Sequence, residues 1–488
     1  MRELRRKVFI PVFTLTETSD EDDPRAIKRL IKQWKGRAAL TYHFRPVINS
    51  KEGTGFNYNL FPVVLDRNSV PWDLGTLFIL SRLEGETHPN MTTIQSLADD
   101  LGAYREWLDD QNNPNELLVE FPKMKQRRPT YRYNGFLKRK IYAREIAPTT
   151  AKRRMGTVVA FYRWMMEEKL FEPENEPWQE RSYLLAIKNT QGFSVTKRVT
   201  STDLRIATPK TDDPFDGLIQ DGGKLRPLPE NEQRWVMEAC DALGNPEMYL
   251  IILFMILTGA RIQTAGTLRV RHFTQDKVAF SRALSGCDEV FKLKIGPGTG
   301  IDTKNDKNMV LQVPRPLYEA LRTYALSARA MRRREVVLGG EHADQFLFLT
   351  QQGSSYYTAK EEALRFDPDL KRRHHKSGGT VRQFIKEFLI PYVRKHHSPK
   401  FHFRIHDLRA TYGMNQTDIQ MEFVQKGGIT LRKARTNVMA LMGHASSATT
   451  DLYLDYRKQM DAVYAAINGY GDQVCAWIDG AMKGVAGE

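Results

Sequence analysis

Cysteine is nearly absent from this chain. Cys240, Cys287 and Cys475 are the only three in 488 residues; they lie far apart, without CxxC or Cys/His spacing. Neither a disulfide framework nor a structural zinc site is expected, and a reducing, intracellular compartment fits. Long hydrophobic runs are missing as well. The longest, MYLIILFMIL from Met248 to Leu257, is about half of the ~20 residues that cross a bilayer as a helix, so it reads as a buried helix and no membrane partner is expected. The start, MRELRRKVFIPVF, sets basic residues before a short apolar stretch. Pro11 interrupts that stretch and no small-residue cleavage site follows, which argues against a secretory signal. Carboxylates do not pair beside histidines at ligand spacing, and His374-His375 and His396-His397 read as solvated or phosphate-facing pairs. A metal-dependent nuclease is therefore disfavoured, and neither metal nor cofactor is expected. No internal repeat or low-complexity tract stands out.

What the chain does have is positive charge. Lys and Arg number 73 against 58 Asp and Glu, a formal charge of +15 spread along the length. Such a balance suits a polyanionic partner, because each neutralised phosphate releases condensed counterions; a soluble basic surface without nucleic acid explains the charge alone equally well. The length implies two or three folding units.

The pattern divides the chain into four stretches. Residues 1–90 mix aromatic and branched residues (FNYNLFPVVL, LGTLFILSRL) with turn signals at Gly53, Gly55 and Pro71, which predicts a partly β extension of unassigned role. Residues 91–188 read as helical. Leu97, Leu101, Tyr104 and Leu108 share one face, a second helix is predicted over Tyr131 to Tyr142, and a third, capped by Thr149 or Thr150, has Val158, Phe161, Tyr162 and Met165 on its apolar side. Lys138, Arg139 and Lys140 on the second helix, and Lys152, Arg153 and Arg154 on the third, are candidate contacts to a DNA backbone. A solvated helix face is the simpler reading of either cluster alone. Residues 189–228 turn polar (Asp212, Asp213, Pro214, Gly222, Gly223) and read as a linker, and residues 229–488 open with a helix after Pro229.

Within that last stretch, groups able to handle phosphate charge and protons recur. Thr258-Gly259-Ala260-Arg261 ends the buried apolar helix and presents a guanidinium, a fork suited to bidentate phosphate binding. VFKLKIG and MVLQVP flank the polar turn GIDTKNDKN, a predicted hairpin carrying Lys304, with Lys307 a close rival. FRIHDLRATYG places His406 and Arg409 three apart, on one face if helical. LMGHASSATTDLYLDY sets Gly443-His444 ahead of Tyr453, with the SSATT run able to cap the tyrosine's helix and Tyr456 one turn further on the same face. Any one of these motifs occurs by chance.

Taken in order, TGAR, the lysine hairpin, HDLR, and GH followed by LY resemble the tyrosine recombinase (phage integrase) family. The resemblance covers roughly Pro229 to Tyr470 and, more loosely, the helical region from 92 to 185. It implies a mainly α fold with a small antiparallel β-sheet (α+β): a helical core-binding DNA clamp and a tyrosine-recombinase-like catalytic domain with a C-terminal helix, here Met460 to Ile478; residues 1–90 match no part of the family and stand as an N-terminal extension. It implies that Arg261 and Arg409 clamp the phosphate, that Lys304 is the general acid, and that His406 manages the nucleophile's proton. His444 then hydrogen-bonds the phosphate, and Tyr453, preferred over Tyr456 by its distance from Gly443-His444, attacks. The partners implied are double-stranded DNA, a homotetramer on paired DNA sites, and room for accessory proteins, in the cytoplasm with the nucleoid. The expected activity is site-specific recombination or integration through a 3′-phosphotyrosine, for a mobile element. A type IB topoisomerase, a telomere-resolvase-like enzyme, or a catalytically silent DNA-binding protein of the same fold are the alternatives. Two departures stand out: Thr264 replaces an acidic residue common three positions after the first arginine, and the stretch from Arg409 to His444, containing QKGGITLRKAR, is longer than usual.

Overall fold

A computed structural model of the chain describes residues 6–31, 40–48, 56–84, 89–188, 194–208, 217–284, 289–337, 339–364, 366–369, 374–444 and 446–458. Among these the chain is mainly α with small antiparallel sheets. It forms two compact units: Met1–Lys210 with Glu361–His375, and Thr211–Lys360 with Lys376–Glu488. No helix among the described residues is long and apolar enough to cross a membrane.

In the first unit, strand Lys7–Thr14 pairs antiparallel with Asn57–Val64, while Leu40–Pro46 lies between Thr16–Thr18 and Ile27–Ile31. The Asn57–Val64 strand is buried along nearly its whole length. Its Phe61 and Val64, with Phe78 and Ile79 of helix Asp73–Ser81, enter the same core as Leu101, Tyr104, Phe161 and Tyr162. The extension is thus partly β, and its end packs into the helical body rather than standing apart from it. Helix Met91–Asp109 starts where the Asn90 side chain accepts from the Thr92 and Thr93 amides. Helix Pro129–Tyr142 lies where expected. Helix Pro148–Glu167 is not capped by Thr149 or Thr150: Ala147 is the N-cap without a side-chain bond, and Pro148, whose fixed φ suits a first turn and whose missing N–H needs no partner, opens it. The excursion Glu361–His375 is tied to this unit by Asn59, which exchanges hydrogen bonds with the Asp367 backbone (2.7 and 2.9 Å).

The stretch 189–228 is more structured than its polarity suggests. Glu180–Lys188 pairs with Ser194–Thr202, Leu204 and Ile206 join the first core, and Ile219–Gln220 pairs with Lys224–Leu225. The longer hairpin exposes Tyr183 and Leu184, so it carries no one-sided apolar period to be read. Asp212, Asp213 and Pro214 lie outside the described residues.

The second unit is built around helix Pro246–Thr258. Asn245 caps its start through the Met248 amide, and nine of its 13 residues are buried and none exposed, as the apolar run predicts. Strands Phe280–Arg282, Glu289–Ile295 and Met309–Pro314 form an antiparallel sheet in that order, and the last two make the predicted hairpin. Helices Asp407–Gln425 and Leu431–Met442 follow, and residues 447–458 are helical. The expected helix from Met460 to Ile478 lies outside the described residues.

Candidate active site

Every residue of the six-member series belongs to the second unit. Helix Pro246–Thr258 stops at Gly259, whose φ of 67° is left-handed and where a methyl would stand 2.4 Å from the Tyr412 ring. Only glycine permits both the turn and that approach. Two residues on, Arg261 is the N-cap of the short helix Ile262–Gly266. Thr264, in the place of the missing carboxylate, donates to the Asp302 carbonyl (2.9 Å) and so ties this helix to the hairpin tip. At that tip Lys304 is exposed, and Asn305 and Asp306 take left-handed φ values that asparagine and aspartate tolerate best. The rival Lys307 is differently employed: its ammonium donates to the Gly443 carbonyl, holding the hairpin against the Gly443-His444 turn.

The HDLR segment begins helix Asp407–Gln425. Asp407 accepts from the Arg404 and Arg226 amides (2.7 and 3.1 Å), and Thr411 accepts from the Leu228 amide (2.9 Å). These bonds stitch residues 226–228 along the helix start and carry the short hairpin Ile219–Leu225, with Asp221 at its turn, over the site. Ile219 and Leu225 pack with Tyr412, Leu441, Met442 and Tyr453.

Arg409 is 3% exposed. Its guanidinium donates to the Gly259 carbonyl (2.8 Å), the Met442 carbonyl (2.7 Å) and Asp221 Oδ2 (3.1 Å), so it locks the ends of two helices together. The Tyr453 hydroxyl, fully buried, donates to the same Asp221 oxygen (3.1 Å). His444 Nε2 lies 3.3 Å from it, and Nδ1 lies 2.9 Å from Thr450 Oγ1. A carboxylate only accepts, so Nε2 carries a proton on that side of the ring, and Nδ1 shares a hydrogen bond with the Thr450 hydroxyl. Arg261 reaches Asp221 Oδ1 at 3.9 Å, while its Nε is buried without a hydrogen-bond partner. The tyrosine ring stacks on His444 (5.7 Å between centroids) and fits because residue 413 is glycine: a methyl there would lie 2.3 Å from a ring carbon. Lys304 and His406 face the same turn, since a methyl on Gly222 would stand 3.4 Å from the lysine Nζ and 3.9 Å from the histidine Nε2.

The electrostatics follow from this crowding. Burial pushes the Asp221 carboxyl upward, but the His444 hydrogen bond and the charges of Arg409, His444 and Arg261 outweigh it and hold the group well below the usual carboxylate range. Burial, with Arg409 close by, lowers Arg261 to about 10. Burial and the two guanidiniums push His406 down despite Asp221, so its imidazole is neutral at neutral pH. Burial and the Asp221 charge drive the Tyr453 phenol well above its ordinary value against the opposing guanidiniums.

Geometry therefore gathers Arg261, Arg409, His444 and Tyr453 around one anion, with Lys304 and His406 at its edge. Tyr456 packs at the rim of the apolar cluster beneath. The residue on which these groups converge, Asp221, was missed by the sequence reading, hidden in a stretch read as linker; its one local signal is the Asp-Gly-Gly turn. Among the described residues no cluster could hold a metal ion. His397 is not phosphate-facing: it stacks on Trp235 (5.1 Å) and lies 3.3 Å from Glu238.

The basic residues of the first unit gather at one end of a helix pair, where Pro129–Tyr142 passes through a short turn into Pro148–Glu167. Lys138, Arg139, Lys152 and Arg153 are exposed, and Lys140 and Arg154 half-buried. Arg153 is engaged by buried Asp100 (2.7 Å) and Lys140 by Glu145 (3.4 Å).

No protein-family model matches the chain, and no curated protein matches it. Among solved structures it is similar to the XerH site-specific recombinase bound to its difH substrate (13% identity, 82% of this chain and 91% of that chain covered, TM-score 0.40). It is also similar to the Tn1549 transposon integrase in complex with circular intermediate DNA (13% identity, 79% and 98% covered, TM-score 0.41) and to the XerA recombinase (16% identity, 80% and 98% covered, TM-score 0.28). At such TM-scores the overlap carries no argument about function, which rests on the geometry of the site itself.

Proposed function

We propose that this chain is a site-specific DNA recombinase or integrase that breaks and rejoins strands through a covalent 3′-phosphotyrosine, in the service of a mobile element. One observation carries the reading: two guanidiniums, an imidazole and a buried phenol converge on a single anionic group, with an ammonium and a neutral imidazole beside it. This is the set that attack on a phosphodiester requires. Tyr453 Oη forms the bond to phosphorus and the bond to the 5′ oxygen breaks. Arg261 and Arg409 balance the charge of the crowded phosphorus, as donors do in an oxyanion hole. Lys304 protonates the departing oxygen, and neutral His406 takes up the phenol proton. Because the ester to tyrosine keeps the energy of the broken bond, a 5′ hydroxyl of another strand reverses the step without ATP. Strand exchange then calls for a homotetramer on paired duplex sites, with accessory proteins as the sites demand. The exposed Lys138, Arg139, Lys152 and Arg153, with half-buried Lys140 and Arg154, position the DNA backbone.

Incubation with duplex fragments from the DNA flanking the encoding locus tests this. The expected result is a denaturant-resistant protein–DNA adduct that Tyr453→Phe abolishes while DNA binding persists. Adducts surviving that change would move the nucleophile to Tyr456. Relaxation of a supercoiled plasmid lacking any specific site would move the chain to the type IB topoisomerases.

A further inference from the structure

Asp221 stands in a place that a reacting phosphate has to occupy. Its Oδ2 accepts from Arg409 Nε (3.1 Å) and Tyr453 Oη (3.1 Å) and lies 3.3 Å from His444 Nε2, while Oδ1 faces Arg261 at 3.9 Å. Attack requires the phenolic oxygen within about 3 to 3.5 Å of phosphorus, with the non-bridging oxygens on the guanidiniums. A carboxylate touching the nucleophile and the clamp together fills that volume, so it and a phosphodiester exclude one another. The way Asp221 is held suits a removable group. Its amide is held within the turn itself, by the bond to the Gly223 carbonyl (3.1 Å), its backbone otherwise meets the His406 side chain at the edge of the site, and Gly222 and Gly223 follow it, Gly222 at φ +71°. The firm anchors, Arg226 to Asp407 and Leu228 to Thr411, lie beyond the hairpin. The tip can lift while its base stays attached.

We propose that Asp221 is an internal stand-in for the scissile phosphate: in the DNA-free chain its carboxylate occupies the anion site and restrains Tyr453, and strand cleavage begins when a backbone phosphate displaces it. This rests on the reading of the site as a phosphodiester-cleaving centre. It accounts for buried Arg409 and half-buried Arg261 being tolerated close together without DNA, since like charges brought out of water need a counter-ion.

The test is calorimetric titration of full-length wild type, Asp221→Asn and Asp221→Ala with inorganic phosphate, alongside their melting temperatures. An occupant lowers apparent affinity by the fraction of molecules it leaves open, so a site filled nine times in ten gains about tenfold when the occupant is neutralised. Both variants are expected to bind phosphate about tenfold or more tightly, and Arg261→Ala added to Asp221→Asn to remove the gain. Equal or weaker binding in folded variants would overturn the proposal and make Asp221 a positioning residue for Arg409 and Tyr453. Should both variants fail to fold, amide hydrogen exchange on the wild type decides: saturating phosphate is expected to speed exchange at Asp221, and unchanged or slower exchange overturns the proposal. Tighter phosphate binding with no DNA adduct from any variant would sink the cleavage reading and leave the occupant in place. Adducts from wild type without the gain in binding would do the reverse.

Discussion

At the candidate site Arg409 is drawn out of water and aimed, with Arg261 half-buried beside it, whereas at the end of the helix pair in the first unit Lys138, Arg139 and Lys152 stand in solvent without an ion pair among the described residues. The first arrangement is expensive to build, because desolvating a guanidinium is repaid only when its donors are met; Arg409 meets two carbonyls and a carboxylate. The second arrangement is cheap, and exposed charges separated by more than a Debye length hardly feel each other at physiological salt. The difference teaches what each can do. Fixed, buried donors distinguish a transition state from a ground state, while mobile exposed ones only raise the local concentration of DNA and fix its register.

The sharpest break in that comparison is Arg409→Ala. Losing one aimed donor to a transition-state oxygen typically slows a reaction by about 10²- to 10³-fold, and here the same change strips partners from the Gly259 and Met442 carbonyls and from Asp221. Removing one member of a buried ion pair destabilises by about 3 to 5 kcal/mol. Adduct rate and melting temperature are both expected to fall. Arg409→Lys should recover little of either, because an ammonium cannot span two carbonyls and a carboxylate as a planar fork does. A lysine variant with near-normal rate would show that only charge, not aim, matters at this position.

The exposed cluster should respond in the opposite sense. Alanine at Lys138, Arg139 and Lys152 together is expected to leave the melting temperature and the rate on bound DNA untouched. It should weaken binding to specific and unrelated duplexes alike, lowering the salt slope by about 0.9 per lost phosphate contact. Filter binding across a salt series reads this directly. Arg153, held by Asp100, should weaken binding less than its neighbours when replaced. An unchanged slope in the triple variant would return these residues to the plain solvated face that any one cluster suggests.

How much of this was legible beforehand follows the same division. The buried helix Pro246–Thr258, the lysine hairpin and the face of Met91–Asp109 announce themselves, because apolar period and turn chemistry are local properties. The six residues of the series are legible as types at spacings, and the folded chain brings four of them onto one anion. Asp221 was illegible: its partners lie 188, 223 and 232 positions away, and nothing in an Asp-Gly-Gly turn says that it closes over a helix start. The paired strands Glu180–Lys188 and Ser194–Thr202 escaped for a different reason, since apolar Tyr183 and Leu184 stand exposed there and mark no buried side. Lys304 and Lys307 could not be separated by sequence either. Their difference lies in the Gly443 carbonyl, which one of them meets and the other does not.

The smallest expected effect sharpens the comparison through pH. His406 is buried beside Arg261 and Arg409, which depress its pKa, whereas an unfolded histidine titrates near ~6.5. Between its folded and unfolded values the unfolded chain binds more protons, so the contribution to stability is complete above ~6.5 and is lost as pH falls through that window toward the folded value. His406→Gln keeps a polar group in place without a titration. The melting temperature of the wild type is therefore expected to drop more steeply than that of the variant on going from neutral to mildly acidic buffer. His272, pushed down to about 4 by burial and the neighbouring Arg271, adds the same sign of slope to both proteins and cancels in the difference. Parallel curves would mean that His406 meets its proton as freely as a solvent-facing histidine, and the neutral imidazole assigned to the phenol's proton would lose its footing.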